Sequence, residues 1–499
     1  MTPTDLAALL SPDLALVLPL VAAVLVAVAI IVADLVRPGS TAVAVTVGIA
    51  GLAVVAALVA WTGTEPGTAF GGSYRVDALT TFLHLVFVAI IALSILFGPE
   101  YLLPRGLPVA EFAAILVFAM SGAMLISASA DLLVLFLGLE LMVIPGYILA
   151  GYHRRDALST EGAVKYFLLG SFSSAIFLFG LAFVWGLTGS TRIADVAAVM
   201  GRIVEGQATL SPGLAMGLAF LTTGVAFKIA AVPFHYWTPD AYQGSPTPVT
   251  GYLSVGPKVG AFALILRVFA EALVPLRNEW VIVFFGLAAL TMTLGNLVAL
   301  TQDNVKRMLA YSSIAHTGYM MVGLAAYAGG QLRGLEGLLY YAAAYAFMNL
   351  GAFAVIAALQ ARPGVTSRLD TFAGLGRREP LLGLLMVLFL LSLTGIPPTA
   401  GFFAKAYVIL AAVQGGGWLA VLAVIAVLNA AAAAFYYLRV IVYMYMRDPS
   451  GEPAPAAHGS LMRLGLGITA VMTIILGLFP GVLLDGVGAA AHALSVVAP

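Results

Sequence analysis

The sequence predicts an all-α polytopic membrane protein with about fourteen transmembrane helices. Three observations predict it. Of 499 residues, 62% are hydrophobic and only 9% charged, against roughly 25% charged in soluble domains. The apolar residues gather into runs of about 20, the length that spans hydrocarbon as a helix. The connections between runs are short, none is long enough for a soluble domain, and alternating strand patterns are absent. Hydrocarbon offers backbone amides no water, so such runs fold as helices.

The runs lie near residues 13–36, 40–62, 77–98, 110–129, 131–152, 161–187, 211–237, 249–273, 280–300, 304–327, 334–360, 380–411, 417–446 and 461–489. The opening "MTPTDLAALLSPDLALVLPL" holds no Lys or Arg. It lacks the basic region of a cleavable signal, so the first run is expected to be a retained helix. Loops after odd-numbered spans hold twelve basic residues, including Arg37, Arg105, Arg154, Arg155 and Arg463, against five on the other side. The richer side is expected to be cytoplasmic, which puts both termini outside.

Three paired segments suggest duplication. "EGAVKY" at Glu161 resembles "EGLLYY" 175 residues later, and "VPFHYWTPDAY" at Val232 resembles "IPPTAGFFAKAY" 164 residues later. Asp131 opens the fifth span, and Asp303 stands just before the tenth, 172 residues on. These offsets fit two five-helix units, spans 4–8 and 9–13. Five is odd, so the second copy lies inverted, with proline-broken helices at spans 7 and 12, as in many ion transporters. The expected divisions are 1–109, 110–273, 274–447 and 448–499.

Six of 23 basic residues fall inside spans: Lys165, Lys228, Lys258, Arg267, Lys405 and Arg439. The two arginines lie near helix ends and are expected to snorkel to the interface. Lys165 could do the same. Lys228 and Lys405 lie beside prolines in the matching broken spans, and Lys258 is nine residues beyond Val249, a little under half a bilayer deep at ~1.5 Å per residue. An amine can release its proton whereas a guanidinium cannot. The lysines therefore suit proton transfer, against the bland alternative of capping a helix end. Glu140 is the only acid in the middle of the fifth span, and a lone carboxylate there protonates or pairs with a cation. Lys228 is its best candidate partner. Ser312 takes the equivalent place in the second unit.

His235 and His316 fall near this lysine line, where imidazole could bridge lysines and water. Asn296, Ser312, Ser313, Thr317 and Asn349 could line the path or simply pack between helices. His84, Asp77 and Arg75 are expected at the interface. Basic and acidic residues balance at 23 each, so no basic face suits nucleic acid, and with no cysteine there are no disulfides, thiolate-held clusters or Cys-ligated zinc. HExxH, GxSxG, P-loop and dinucleotide patterns are absent. The composition offers ions a route without electron chemistry.

Nearly the whole chain resembles a known family. "FLGLELMVIPGYILAGY" with Glu140, "EGAVKYFLLGS" with Lys165, "FKIAAVPFHYWTPDAYQGSPTPVTGYLSVGPKVGAF" with Lys228 and Lys258, "DNVKRMLAYSSIAHTGYMM" with His316 and "LSLTGIPPTAGFFAKAYV" with Lys405 resemble the antiporter-like subunits of respiratory complex I. Lys405, where subunit M typically has glutamate, and the lack of residues for the lateral helix of subunit L make it most similar to the N-type members.

The resemblance implies fourteen helices in two inverted repeats, and proton pumping driven by quinone reduction elsewhere in a hetero-oligomeric complex. Glu140, Lys228, Lys258 and Lys405 would carry protons, with Lys165, His235 and His316 connecting them. No cofactor is expected in this chain; flavin, iron–sulfur clusters and the main quinone site would belong to partners. Neighbours would be subunits K and M, with J near, in membrane lipid of the bacterial inner membrane. An Mrp-type cation/proton antiporter subunit, or a ferredoxin-driven photosynthetic relative, would use the same charges. A structural spacer without a proton path is the third possibility.

Overall fold

The computed structural model describes residues 11–205, 211–362, 364–448 and 458–495. The termini, whose side was expected from loop charge, lie outside these. The first three spans are α1 (Pro12–Val36), α2 (Thr41–Thr62) and α3 (Ala78–Leu102). Between α2 and α3 stands a hairpin of β1 (Gly67–Ala69) and β2 (Tyr74–Val76), with Gly67 opposite Val76. The sequence reading expects no strands. Three-residue strands are too short to show alternation, and the hairpin is set by its turn, where Phe70, Gly71 and Gly72 all take positive φ.

The first repeat comprises α4 (Val109–Ala128), α5 (Leu132–Ala150), α6 (Ala157–Thr188), α7 (Ile193–Glu205), the broken seventh span α8 (Pro212–Lys228) and α9 (Trp237–Gly244), and α10 (Thr247–Ile265). α10 runs on as a π-turn over Leu266–Ala272. α7 buries only Ile193, Val196, Ala197 and Met200, the one-sided spacing of a helix lying on the bundle. The second repeat comprises α11 (Arg277–Ala299), α12 (Val305–Ala328), α13 (Leu332–Leu359), the one-turn α14 (Leu375–Arg378), the broken twelfth span α15 (Pro380–Thr394) and α16 (Ala400–Gly415), and α17 (Gly417–Met446).

Among the described residues eleven helices are long and apolar enough to cross a membrane. The remaining expected crossings are the two broken spans and α12, whose 24 residues include Ser312, Ser313, His316 and Thr317. The fourteenth run is not the single expected helix. It divides into α18 (Ser460–Leu478) and α19 (Gly481–Ser495), because Pro480 donates no amide and pushes Phe479 out of helical geometry.

The two repeats carry the same clasp at the start of their second span. Leu132 N–H donates to Thr191 O (2.8 Å) and Ile193 N–H to Ala130 O (3.0 Å). In the second repeat Val305 N–H donates to Ser367 O (2.7 Å) and Leu369 N–H to Asp303 O (2.8 Å). Asp131 and Asn304 cap the helices that follow, each accepting backbone amides, a contribution of about 1 kcal/mol each. The sequence offset between Asp131 and Asp303 therefore marks a shared turn, on opposite ends of the bundle.

At the centre, every residue of α10 is buried, and α13 is buried along most of its length. The middle of α10, where Lys258 sits, is walled off from lipid by neighbouring helices.

Candidate functional site

α8 ends at Lys228, and Ala230 (φ +57°) with a cis Val232–Pro233 bond carries the chain across to α9. Three backbone groups at the break are held by side chains. Val232 N–H donates to Thr291 Oγ1 (3.0 Å), Thr317 Oγ1 donates to Ile229 O (2.9 Å), and Trp237 Nε1 donates to Phe227 O (3.2 Å).

Lys228 is buried, and its Nζ donates to Ser174 Oγ (2.7 Å), Gly170 O (3.3 Å) and Tyr147 OH (3.5 Å). The expected direct pair with Glu140 does not form. Glu140 is seven residues before Tyr147 on α5, two turns or about 10 Å away along one face, while Lys228 docks at the Tyr147 level. Among the described residues Glu140 Oε1 is buried without a hydrogen-bond partner.

Lys258 Nζ donates to Ser313 O (2.5 Å) and Ser313 Oγ (2.6 Å), and lies 5.4 Å from the Tyr345 ring centre. Ser313 O is also 3.3 Å from Thr317 Oγ1. The single hydroxyl proton of Thr317 thus reaches both the carbonyl after Lys228 and the carbonyl that holds Lys258.

His316, one turn along α12 from Ser312, is buried. Its Nδ1 is 2.6 Å from Tyr341 OH and its Nε2 3.2 Å from Tyr437 OH, which also bonds Ser312 Oγ. Beyond the twelfth-span break, Lys405 Nζ donates back to Leu393 O (2.9 Å) and Thr394 O (2.8 Å), the last carbonyls of α15. A cation there meets the negative end of the half-helix. Lys405 also sits 4.9 Å from the Tyr319 ring centre, and Tyr319 stacks on Tyr341.

Lys228, Lys258, His316 and Lys405 therefore form one buried series joined by hydroxyls, carbonyls and tyrosine rings. Among the described residues none of these lysines has a carboxylate within ion-pair distance. An ammonium without a counter-ion is costly in low dielectric, so its charge state answers to small changes around it.

A family model described as NADH:quinone oxidoreductase/Mrp antiporter, TM, matches residues 129–429, which include this whole series. A Chloroflexus aggregans protein named NADH-quinone oxidoreductase subunit N is 44% identical, over 94% of this chain and 95% of its own length. The chain belongs to the NADH:quinone oxidoreductase/Mrp antiporter family. A Trichlorobacter lovleyi protein of the same name is 42% identical over 88% of each chain. Among solved structures, a chain of respiratory complex I from Thermus thermophilus with bound aureothin matches with TM-score 0.77 and 31% identity, over 94% of this chain and 99% of that one. A chain of the Mrp complex from a Dietzia species shares the fold, with TM-score 0.82 and 21% identity, over 98% of this chain and 100% of that one.

Two expected relays of this family member lie at the rim. Lys165 is 43% exposed and pairs with Glu161 and Asp240, each at 2.6 Å. Asp240 also pairs with Arg307 (2.7 Å). Lys165, Asp240, Arg307, Tyr311 and His235 line a cavity of about 410 Å³. His235 stacks on Tyr236. Sequence reasoning left out Asp240 and Arg307, although an acid twelve residues after Lys228 was a signal. It also missed Tyr319, Tyr341, Tyr345 and Tyr437, because aromatic residues in apolar helices look like packing. Ser312, Ser313 and Thr317 do line the series. Asn296 and Asn349 instead bond Asn429 and Ser254 between helices.

Several charges differ from expectation. Arg267 does not snorkel: it is fully buried, bonded to Glu271 (2.5 Å) and Asp77 (2.9 Å), and Arg75 reaches the same Glu271 (2.7 Å). The π-turn brings these partners together. Asp77 caps α3, and His84 is buried against Met124 O (3.0 Å) rather than interfacial. Lys306, counted with the loops, is buried and donates to Ser245 O (2.5 Å). Arg439 bonds the carbonyls of Leu300 and Gln302 just beyond α11, as a helix-end arginine should. Outside the spans, His458 lies 2.5 Å from Glu100 and 3.0 Å from Glu379, and their hydrogen bonds hold its imidazole up at about 9. Among the described residues no group of three His, Asp or Glu side chains could hold a metal ion.

Proposed function

We propose that this chain is the N-type proton-translocating subunit of a bacterial NADH:quinone oxidoreductase. Quinone is reduced elsewhere in the complex, and this chain moves protons along Glu140, Lys228, Lys258 and Lys405. Its relatives named subunit N and the complex I chain of like fold support the reading. The observation that carries the route is Thr317, whose hydroxyl lies between the carbonyl beside Lys228 and the one that holds Lys258.

A charged Glu140 stabilises the ammonium of Lys228 through space. Neutralising Glu140 removes that support, and Lys228 can give up its proton. Lys258 takes the next place, and His316 with its tyrosines connects Lys258 to Lys405. Lys165 and His235 serve the rim cavity. The units are 1–109, 110–273, 274–447 and 448–499. Flavin, iron–sulfur clusters and quinone sit in partner subunits, and the neighbours are K and M with J near. The chain lies in the inner membrane with both termini outside, as the loop arginines favour.

The test is Lys258→Met in the intact complex, reconstituted in vesicles. Methionine keeps much of the volume and carries no proton. NADH oxidation and subunit co-purification should persist while proton uptake falls to a small fraction; unaltered uptake would sink the proposal. An Mrp-type subunit would purify with antiporter subunits and without NADH dehydrogenase activity.

A further inference from the structure

We infer that the groove between α4 and α5 holds the headgroup of an anionic glycerophospholipid. A cavity of about 620 Å³ is lined by Arg105, Glu111, Ile115, Ile148, His153, Arg154 and Arg155 among others. Its charged residues come from two loops at the same end of the bundle, after α3 and after α5, and from the first turn of α4. These are the levels at which helices leave hydrocarbon. Ile115 is six residues into α4, roughly 9 Å below the helix start, and Ile148 on α5 is 54% exposed. The cavity is thus basic at its mouth and apolar below, the profile of a phosphate diester above its acyl chains.

The charges divide by role. Arg105 is committed to Tyr101 O (2.9 Å) and Gln360 O (2.7 Å), so it shapes the wall. Arg154 and Arg155 are exposed, and among the described residues neither guanidinium has an acidic side chain within ion-pair distance. His153 is turned toward Asp156 at 4.0 Å. Three arginines face one glutamate, Glu111, so the lining carries a positive excess. Basic pockets between transmembrane helices suit anionic headgroups, and arginine forks match phosphate oxygens better than an ammonium does. Tyr152 stands at the mouth, its hydroxyl donating to Pro108 O (2.7 Å).

The experiment uses the intact complex, delipidated in detergent and offered phosphatidylglycerol, phosphatidylcholine or inorganic phosphate, with bound lipid read by native mass spectrometry. Wild type should retain phosphatidylglycerol over phosphatidylcholine, and inorganic phosphate should not displace it. R154Q/R155Q should lose a single phosphatidylglycerol per copy. Glu111→Gln, which removes the opposing carboxylate, should hold it more tightly, a gain that a purely structural role for the arginines does not give. Equal retention of phosphatidylcholine, displacement by inorganic phosphate, or unchanged retention in the double variant overturns the assignment. So does loss of a neighbouring subunit from the double variant, which would make this groove a protein interface.

Discussion

The two broken spans use one backbone device in two electrostatic settings. In the first, Lys228 ends the half-helix before the break and is held by Ser174, Gly170 and Tyr147, with Glu140 about two turns away along α5. In the second, Lys405 stands after the break and reaches back to Leu393 O and Thr394 O. The place of Glu140 is taken there by Ser312, bonded to Tyr437. Backbone carbonyls are fixed dipoles that favour an ammonium at all times, whereas a carboxylate can be neutralised. Duplication kept the break but not the counter-ion, so on the proposed route the first lysine has a switch and the second a constant field.

The largest expected effect comes from removing the exchangeable proton while keeping the charge. Lys228→Arg and Lys405→Arg should each lower proton uptake to the level of Lys258→Met, because guanidinium does not deprotonate. They should differ in assembly. The open carbonyl pair at Lys405 accepts a fork, while the hydroxyl pocket at Lys228 is fitted to a single nitrogen. Subunit recovery after purification checks this, and equal recovery would erase the distinction.

Next in size is the switch itself. Glu140→Gln should slow proton uptake about tenfold, the weight of about 1.4 kcal/mol in a barrier, with NADH oxidation maintained. Ser312→Ala, at the equivalent place, should change the rate by less than about twofold, under half that weight. Matching losses would mean that the two settings work alike. A smaller effect is expected at their junction. Thr317→Val removes the donor that both carbonyls share and should cost about 1–3 kcal/mol, read as a lower unfolding temperature of the complex, with slowed but measurable uptake.

The smallest effect lies outside both spans. His458 ties α18 to the end of α3 and the start of α15. Its imidazole is held at about 9 against an ordinary 6.5, so the folded chain binds the proton more tightly than the unfolded one. The stabilisation is complete below about 6.5 and is lost as pH rises through about 9. Thermal unfolding measured across that window should fall more steeply in wild type than in His458→Gln.

The spans, both breaks and the lysine series were legible because their signals are local. A lysine or a proline inside an apolar run is conspicuous whatever surrounds it. The environment of each charge was not legible. Lys165 and Arg267 both read as helix-end cations, yet one is a rim ion pair and the other is fully buried among Glu271, Asp77 and Arg75. That difference arises from packing between distant segments and from a π-turn that no periodicity announces. Glu140 was found, but its distance from Lys228 depends on which turn of α5 meets α8. The tyrosines around His316 were hidden because a buried ring serves packing and hydrogen bonding alike.

The kink of the last span also bears on how the molecule is made. Gly477 lies so close to Pro398 and Thr399 that any Cβ would run into the Pro398 carbonyl, and Tyr340 OH donates to Leu476 O (2.6 Å). α18 therefore buttresses the twelfth-span break from outside. A chain leaves the ribosome from its N-terminus, so the pocket around Lys405 has no outer wall until residues near 477 have been synthesised and inserted. Lys258 and Lys228 can be enclosed earlier. The timing of biosynthesis is thus written into the architecture: the half of the proposed route that is chemically least adjustable is also the half that is finished last.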